Sequence, residues 1–407
     1  MIRSVLLLIT LLLIVSAPAA AQVVVADRVS EEATEGNSQP KLGRDAAGRI
    51  YLVYVKPVGD VDQIFIASSA DGRTWRNTQL TRRALHSRYP ALAVEPDGTL
   101  HAVWTTYEPV GHVYYSRFSG GRWSGPVKIS PGDAYAGVPA VAVAPDRDLH
   151  VVWYGIRNQA PQVRTRHGSI YEIMYSGLTR GRWSEPIVIS PGIPDSINPA
   201  LAIDPSGVLH SAWYQFDVRA YQVRYARRQT KWENPQQITS GTIDAFAVAL
   251  ALGPADRVFL VWEHRGSGGP QIHFAEGPGR WSTPTPISGA QPASHPSVAA
   301  DAGGRITAVW ESKGHLQLRR RTDRWLGIER VMQDGQNRYP ILGTGRGAVD
   351  LIWTQQIGGT NRLLFAALGP QGVGLRRGRS GVGLLIFVLI VVLLLWQLRR
   401  RQRLAAR

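Results

Sequence analysis

No cysteine occurs in the 407 residues. That excludes disulfides, a thiol nucleophile and a thiolate metal site. Whatever folds here must hold through its own hydrophobic core, which a stretch of about 350 residues is long enough to build. A basic run is also missing from the middle of the chain. The formal net charge is +16, yet eight arginines lie between Arg376 and Arg407 and a ninth is Arg3. The rest of the excess is scattered, so the charge stripe of a nucleic-acid-binding protein is absent and no nucleic-acid partner is expected. The sequence also points to no cofactor and no metal.

Long apolar runs occur only at the two ends. Residues 1–21 carry one early charge, Arg3, then an apolar stretch from Val5 to Val15, then Ala19-Ala20-Ala21. This is the layout of a cleavable signal peptide. Residues 382–398 are apolar apart from Gln397 and lead straight into Arg399, Arg400, Arg401 and Arg403. A helix of about 17 to 20 such residues spans a bilayer once, and the arginines behind it favour the cytoplasmic side. Arg376, Arg377 and Arg379 on the outer flank weaken that asymmetry. The expected layout is a signal peptide (1–21), an ectodomain (22–368), a Gly/Arg-rich tether (369–381), a transmembrane helix (382–398) and a basic cytoplasmic tail (399–407). The expected location is a cell membrane, with the ectodomain outside the cytoplasm.

Between the ends one pattern recurs. A proline falls at Pro40, Pro90, Pro139, Pro199, Pro296 and Pro340, with Val248 standing in once. An aromatic follows at Tyr54, Trp104, Trp153, Trp213, Trp262, Trp310 and Trp353, fourteen residues later in six cases and thirteen in the last. Inside each unit apolar residues alternate with a period of two around turns such as Pro96-Asp97-Gly98, the pattern of antiparallel strands. A third run follows, such as Val113-Tyr114-Tyr115-Ser116, and a fourth begins at a second tryptophan, as in Trp123 and Trp183. Units of four strands, repeating every 44 to 60 residues with aromatic markers, indicate an all-β propeller.

The seventh unit lacks a fourth strand of its own. Residues 23–30, ending Val29-Ser30, match the Ile-Ser that closes other units and supply the missing strand. Pairing them into the last blade closes the ring and hides two sheet edges, which favours seven blades over six. Twelve of the thirteen tryptophans sit at the two repeat positions, so packing between blades is their expected role. His101, His150 and His210 share one repeat position in a second strand and are expected to be structural.

Ser69-Ala70-Asp71-Gly72-Arg73-Thr74-Trp75 resembles the Asp-box of sialidase-like, BNR-repeat propellers. The other units keep only its end, as in Gly121-Arg122-Trp123. The resemblance implies a structural turn between third and fourth strands, with Ser69, Asp71, Gly72 and Trp75 holding it. Asp71 can bond its own turn and Gly72 can take a positive φ. It also implies that the opposite face, built from the loops entering first strands and joining second to third strands, binds sugars. Candidate binding residues there are Arg88, Tyr89, Arg338, Tyr339, Glu108, Asp217, Tyr221, Glu263 and Arg157, the last within an insertion at 157–171. Sialidases share an Arg-Ile-Pro motif whose arginine helps hold the substrate carboxylate. Arg88-Tyr89-Pro90 and Arg338-Tyr339-Pro340 sit at that repeat position, on blades separated by one unit, where two guanidiniums can approach one anion.

A sialidase also needs a tyrosine nucleophile paired with a glutamate, and an aspartic acid. Tyr339 or Tyr221, Glu263 or Glu311, and Asp60 or Asp62 are available, but no local pattern selects among them, so catalytic residues stay unassigned. Two functions follow. The first is a membrane-anchored recognition module that binds a glycan or a surface protein through its loop face. The alternative is a sialidase-type exo-glycosidase at the cell surface.

Overall fold

The computed structural model describes residues 22–156, 170–190, 195–331, 334–345 and 347–369. The expected signal peptide, transmembrane span and basic tail, and Arg157, fall outside them. Every regular element among the described residues is a β-strand, and the strands form seven antiparallel sheets. Each sheet is one blade, and its first strand lies innermost. These inner strands are Leu42–Arg44, Ser87–Val94, Ala136–Val143, Ser196–Ile203, Ala245–Leu252, Ser294–Ala300 and Gln336–Gly345, for blades 1 to 7.

The ring closes through the N-terminal strand. Val23–Asp27 pairs antiparallel with Thr360–Leu368, setting Val23 opposite Phe365 and Asp27 opposite Arg362. A bulge at Val25 turns its side chain into the core, while Val24 stays 43% exposed. Seven blades, not six, are therefore present.

Both sets of repeat aromatics pack. Trp104, Trp153, Trp213, Trp262, Trp310 and Trp353, with Tyr54 in blade 1, are among the largest fully buried side chains. The second set reaches back to the preceding blade. Trp183 meets Tyr115, Trp232 meets Tyr175, Trp281 meets Tyr225, Trp325 meets Phe274 and Trp75 meets Phe365, all edge-on at 5.0 to 5.4 Å between ring centroids. Edge-to-face pairs of this kind add to plain area burial, so each is a rivet between neighbouring blades. Where the receiving ring is a tyrosine, its hydroxyl turns inward to the repeat histidine: Tyr115 to His101 at 2.9 Å, Tyr175 to His150 at 2.8 Å and Tyr225 to His210 at 2.7 Å. The fourth strands end in a hydroxyl for a similar reason. Thr81, Ser130, Ser190, Thr239 and Ser288 each accept a bond from the backbone N–H of the third strand beside them. That keeps a strand-end donor satisfied as the chain leaves the sheet.

The turn at residues 69–75 is closed by its own side chains. Asp71 Oδ1 accepts from the N–H groups of Arg73 and Thr74 at 2.8 and 2.9 Å, Ser69 Oγ accepts from Gly72 N at 2.9 Å, and Gly72 has φ +72°. Loops on the opposite face are stitched in pairs. A residue at the end of a second strand donates to the loop entering the first strand, as Tyr107 N does to His86 O, Phe216 N to Asp195 O and Arg265 N to Asp244 O.

Candidate functional site on the loop face

Where each inner strand begins, the repeat does something unusual. Tyr89, Val138, Asn198, Ala247, His295 and Tyr339 all have φ between +48° and +52°, and each inner strand carries a bulge there. Left-handed backbone at a non-glycine residue is costly, and bulges re-aim side chains. Six blades therefore present one residue each at the mouth of the central channel.

Blade 1 departs from this. The chain between the closing strand and Pro40 runs into the mouth instead. Ser30 N donates to Val55 O and Val55 N to Ala33 O, tying the segment to blade 1. Thr34 Oγ1 then donates to Tyr339 O of blade 7 at 2.8 Å. Asn37 Nδ2 reaches across to Ala247 O of blade 5 at 2.6 Å and Pro296 O of blade 6 at 2.8 Å. Lys41, fully buried, donates to Pro90 O of blade 2 at 2.7 Å.

This segment places a carboxylate beside each of the two sequence-predicted arginines. Arg88 bonds Asp62 through Nε at 2.7 Å and Nη2 at 2.5 Å, with Glu32 at 3.7 Å from Nη1. Arg338 pairs with Glu31. The two guanidiniums thus converge on adjacent glutamates of the chain itself. Their place in the repeat was readable; Asp62, which holds Arg88, lies on a strand of blade 1, while Glu31 and Glu32 come from outside the repeat.

Farther along the same rim, Glu311 Oε1 accepts from Tyr339 N at 2.5 Å and stands 3.0 Å from His295 Nδ1. Glu263, 1% exposed, accepts from His295 N at 2.8 Å and holds Arg265 at 2.9 Å. Burial by itself would lower the His295 pKa, but Glu311, then Glu263 and Glu35, hold it above its ordinary value. Glu35 is pushed up to about 7, first by burial and then by the charge and hydrogen bond of Glu32. Lys41 is pushed down to about 7 by burial, against the pull of Glu35. Tyr339 rises to about 12, chiefly by burial.

The other half of the mouth is aromatic. Tyr135, Tyr154 and Tyr171 form a triangle with centroid distances of 5.3 to 5.8 Å, and the Tyr135 and Tyr154 hydroxyls are 3.2 Å apart. A Cβ on Gly137 would lie 2.5 Å from the Tyr135 hydroxyl, so glycine there makes room for the ring. Tyr214, Tyr221 and Phe246 form a second group with spacings of 5.0 to 5.6 Å, and Asn198 Nδ2 donates to the Tyr214 hydroxyl at 2.6 Å. Tyr89 and Tyr107 complete the arc toward Arg88, and burial raises the pKa of both phenols.

Two sequence-predicted residues serve the scaffold. Glu108 pairs with Arg83 and accepts from the Tyr114 hydroxyl at 2.8 Å, out on the rim. Asp217 caps its own turn, accepting from Arg219 N and Ala220 N at 3.2 Å. Tyr221 belongs to the aromatic arc, while Glu311 binds the Tyr339 backbone and His295. Glu31, Glu32, Glu35 and Lys41 were not anticipated, and their only sequence signal is acidic density in the one stretch that precedes the first repeat proline. Among the described residues no three His, Asp or Glu side chains gather as a metal-holding group.

Neither a family model nor a curated protein matches this sequence. Solved structures do match, by fold. An ulvan lyase, a polysaccharide lyase bound to -[GlcA(1-4)Rha3S]-, superposes with a TM-score of 0.58 at 10% identity, over 84% of this chain and 94% of its own. The α-L-arabinofuranosidase of Fusarium graminearum, solved with arabinobiose, gives 0.51 at 14% identity, over 69% of this chain and 92% of its own. The fold is shared. A Trypanosoma rangeli sialidase matches at 0.46 and 12% identity over 73% of this chain and 56% of its own, too loosely to argue from.

Proposed function

We propose that the chain is an extracytoplasmic recognition module, exported by its N-terminal leader, held at a membrane by residues 382–398, and binding a neutral glycan across its loop face. The observation that carries this reading is the divided mouth. One side offers tyrosine rings, which suit the apolar faces of sugar rings, and the other offers carboxylates and amides for hydroxyl groups. The balance of charge argues for neutrality. Glu31, Glu32, Glu35, Asp62, Glu263 and Glu311 outnumber Arg88, Arg265, Arg338 and Lys41, and the three arginines are already paired within the chain. A sialylated ligand would have to displace Asp62 from Arg88 or Glu31 from Arg338 and then face the remaining carboxylates. Fold neighbours named for glycan cleavage support the ligand class and nothing finer.

The test is a glycan array and titration calorimetry on the full-length protein in detergent. Neutral oligosaccharides should bind, and Tyr171→Ala or Tyr221→Ala should weaken them about tenfold, the scale of one aromatic contact. Arg88→Ala and Arg338→Ala should change neutral binding less than about twofold, since each removes a pair satisfied inside the protein. Binding confined to sialylated glycans, or lost with either arginine, would overturn the reading.

Glycan cleavage is a second reading, favoured by Glu35. A half-buried carboxyl that titrates near 7 is suited to act as a general acid or base. Polysaccharide digests assayed for new reducing ends and for unsaturated products check it. Activity should vanish in Glu35→Gln, and no turnover on any neutral or acidic polysaccharide removes this reading.

A further inference from the structure

The face opposite the candidate glycan site carries a break in the repeat that points to a ligand. In blade 2 the His101 Nε2 meets Glu95 Oε1 at 2.8 Å, and in blade 4 the His210 Nε2 meets Asp204 Oδ2 at 3.4 Å. Each carboxylate comes from the residue that begins the turn between first and second strands. Blade 1 keeps the arrangement with other groups, the Tyr51 hydroxyl donating to Asp45 at 3.1 Å. Blade 5 has lost both halves together, with Gly253 facing the apolar Phe259. Blade 6 keeps the carboxylate, Asp301, paired with Arg305 at 3.0 Å, and has Thr307 in place of the histidine. Blade 3 alone keeps the histidine without the carboxylate. Ala144 stands where the carboxylate belongs, with the same backbone bond to its turn, Ala144 N to Asp148 O at 2.8 Å. His150 remains, 7% exposed, its Nδ1 bonded to the Tyr175 hydroxyl and its Nε2 without a hydrogen-bond partner among the described residues.

That unpartnered nitrogen lines a crevice of about 540 Å³ between blades 3 and 4, walled also by Arg182 and Arg228. Arg228 lies over the Tyr175 ring, 5.3 Å from its centroid, and neither arginine forms an ion pair among the described residues. We propose that this crevice binds a small organic carboxylate of hexuronate size, its carboxylate filling from outside the place that Glu95 and Asp204 fill from within. In blades 2 and 4 a carboxylate faces Nε2, so Nε2 carries the proton and the tyrosine donates to Nδ1. The same bonding in blade 3 leaves an N–H aimed at the vacant place. Burial, then the charge of Arg228, depress the His150 pKa to about 4 against the pull of Asp148 and Asp146, so the imidazole is neutral and free to donate through Nε2. Asp146 and Asp148 also line the crevice. Both are engaged, Asp146 Oδ1 accepting from Asp148 N at 3.1 Å and Asp148 Oδ2 from the Thr179 hydroxyl at 2.6 Å.

The test titrates sodium glucuronate, with glucose as its neutral counterpart, into the full-length protein in detergent. Glucuronate should bind saturably and glucose should not compete. Ala144→Glu rebuilds the pairing of blades 2 and 4, so it should weaken glucuronate by about tenfold or more while leaving the melting temperature equal or higher. Arg228→Gln should weaken it to a similar degree and guards against misfolding of the first variant. Tyr221→Ala, on the other face, should leave it unchanged. Absence of saturable glucuronate binding, or unchanged affinity in both Ala144→Glu and Arg228→Gln, overturns the proposal. So does binding lost in Arg88→Ala but kept in Ala144→Glu, which would move the carboxylate to the loop face.

Discussion

Closing the ring with an N-terminal strand makes a sharp demand on two adjacent valines. Val25 is 4% exposed and belongs to the core cluster of Ile50, Leu52, Leu363 and Phe365, while Val24 is 43% exposed. Val25→Ala removes two carbons from a packed site, worth about 1.5 to 2.5 kcal/mol once the residual cavity is included. Val24→Ala should stay within about 0.5 kcal/mol. A third change tests the stitch between the first and last blades. Asn77 Nδ2 donates to Val25 O and its Oδ1 accepts from the Tyr54 hydroxyl, both at 2.9 Å. Tyr54 is 1% exposed, so Asn77→Ala strands a buried hydroxyl and should cost about 1 to 3 kcal/mol. Denaturant unfolding with matched thermal melts reads all three, and the two damaging changes should lower the melting temperature by a few degrees. Equal stability of the Val24 and Val25 variants would mean that the strand does not seat in this register, and the closure argument would fall.

Other expectations follow from the same geometry. Glu35 has its folded pKa raised from 4.5 to about 7, so its contribution to stability is greatest below 4.5 and is lost as pH rises to 7. Lys41 has its folded pKa lowered from 10.5 to about 7, so its penalty is present below 7 and is relieved as pH rises toward 10.5. Glu35→Gln should therefore flatten the acid limb of the stability profile, by on the order of 1 to 3 kcal/mol at pH 8, and Lys41→Met the alkaline limb; parallel profiles for variants and wild type would contradict this. Gly343→Ala puts a Cβ 2.5 Å from Leu42 Cγ and 3.0 Å from Leu42 O where blades 7 and 1 meet, and should cost about 1 to 3 kcal/mol in a chemical melt. Cleavage between Gly369 and Ser380 should release the propeller from membranes into the aqueous phase; a product that stays with detergent would refute a single C-terminal anchor.

The propeller was legible because its constraints repeat. A proline fourteen residues before a buried aromatic, met in five units, fixes the length of the first hairpin, and a strand ending Val29-Ser30 matches the ends of the other fourth strands. The structural role of the repeat histidines and the inter-blade role of the tryptophans were legible for the same reason, since each recurs at a fixed offset; the tyrosine that joins them was found only in the structure. The partners of Arg88 and Arg338 were not. Glu31 and Glu32 lie in the one segment with no counterpart in other blades, where a path across the channel leaves no periodic trace, and Asp62, the close partner of Arg88, sits on the adjacent blade, a pairing that sequence order does not show. Nor could Asp217 be separated from a binding residue by type alone, because an aspartate that caps a turn and one that meets a ligand look the same in sequence.

A repeat protein sets its own standard for what is unusual. Six inner strands begin with the same left-handed residue and bulge, so the backbone strain there is a property of the scaffold and does not single out one blade. Departures from the repeat are more informative. The segment that replaces this device in blade 1 brings Glu31, Glu32 and Glu35 to the channel mouth, and with Asp62 they occupy the arginines that would otherwise attract an anion. Ala144, which removes a carboxylate from blade 3, leaves the opposite effect: a buried imidazole whose Nε2 meets no carboxylate, beside two arginines that form no ion pair among the described residues. The same chain thus withholds positive charge on its loop face and leaves it available on the other. A carboxylate ligand and a neutral glycan therefore need not compete, and the two sites can be tested independently by substitutions on opposite faces of one ring.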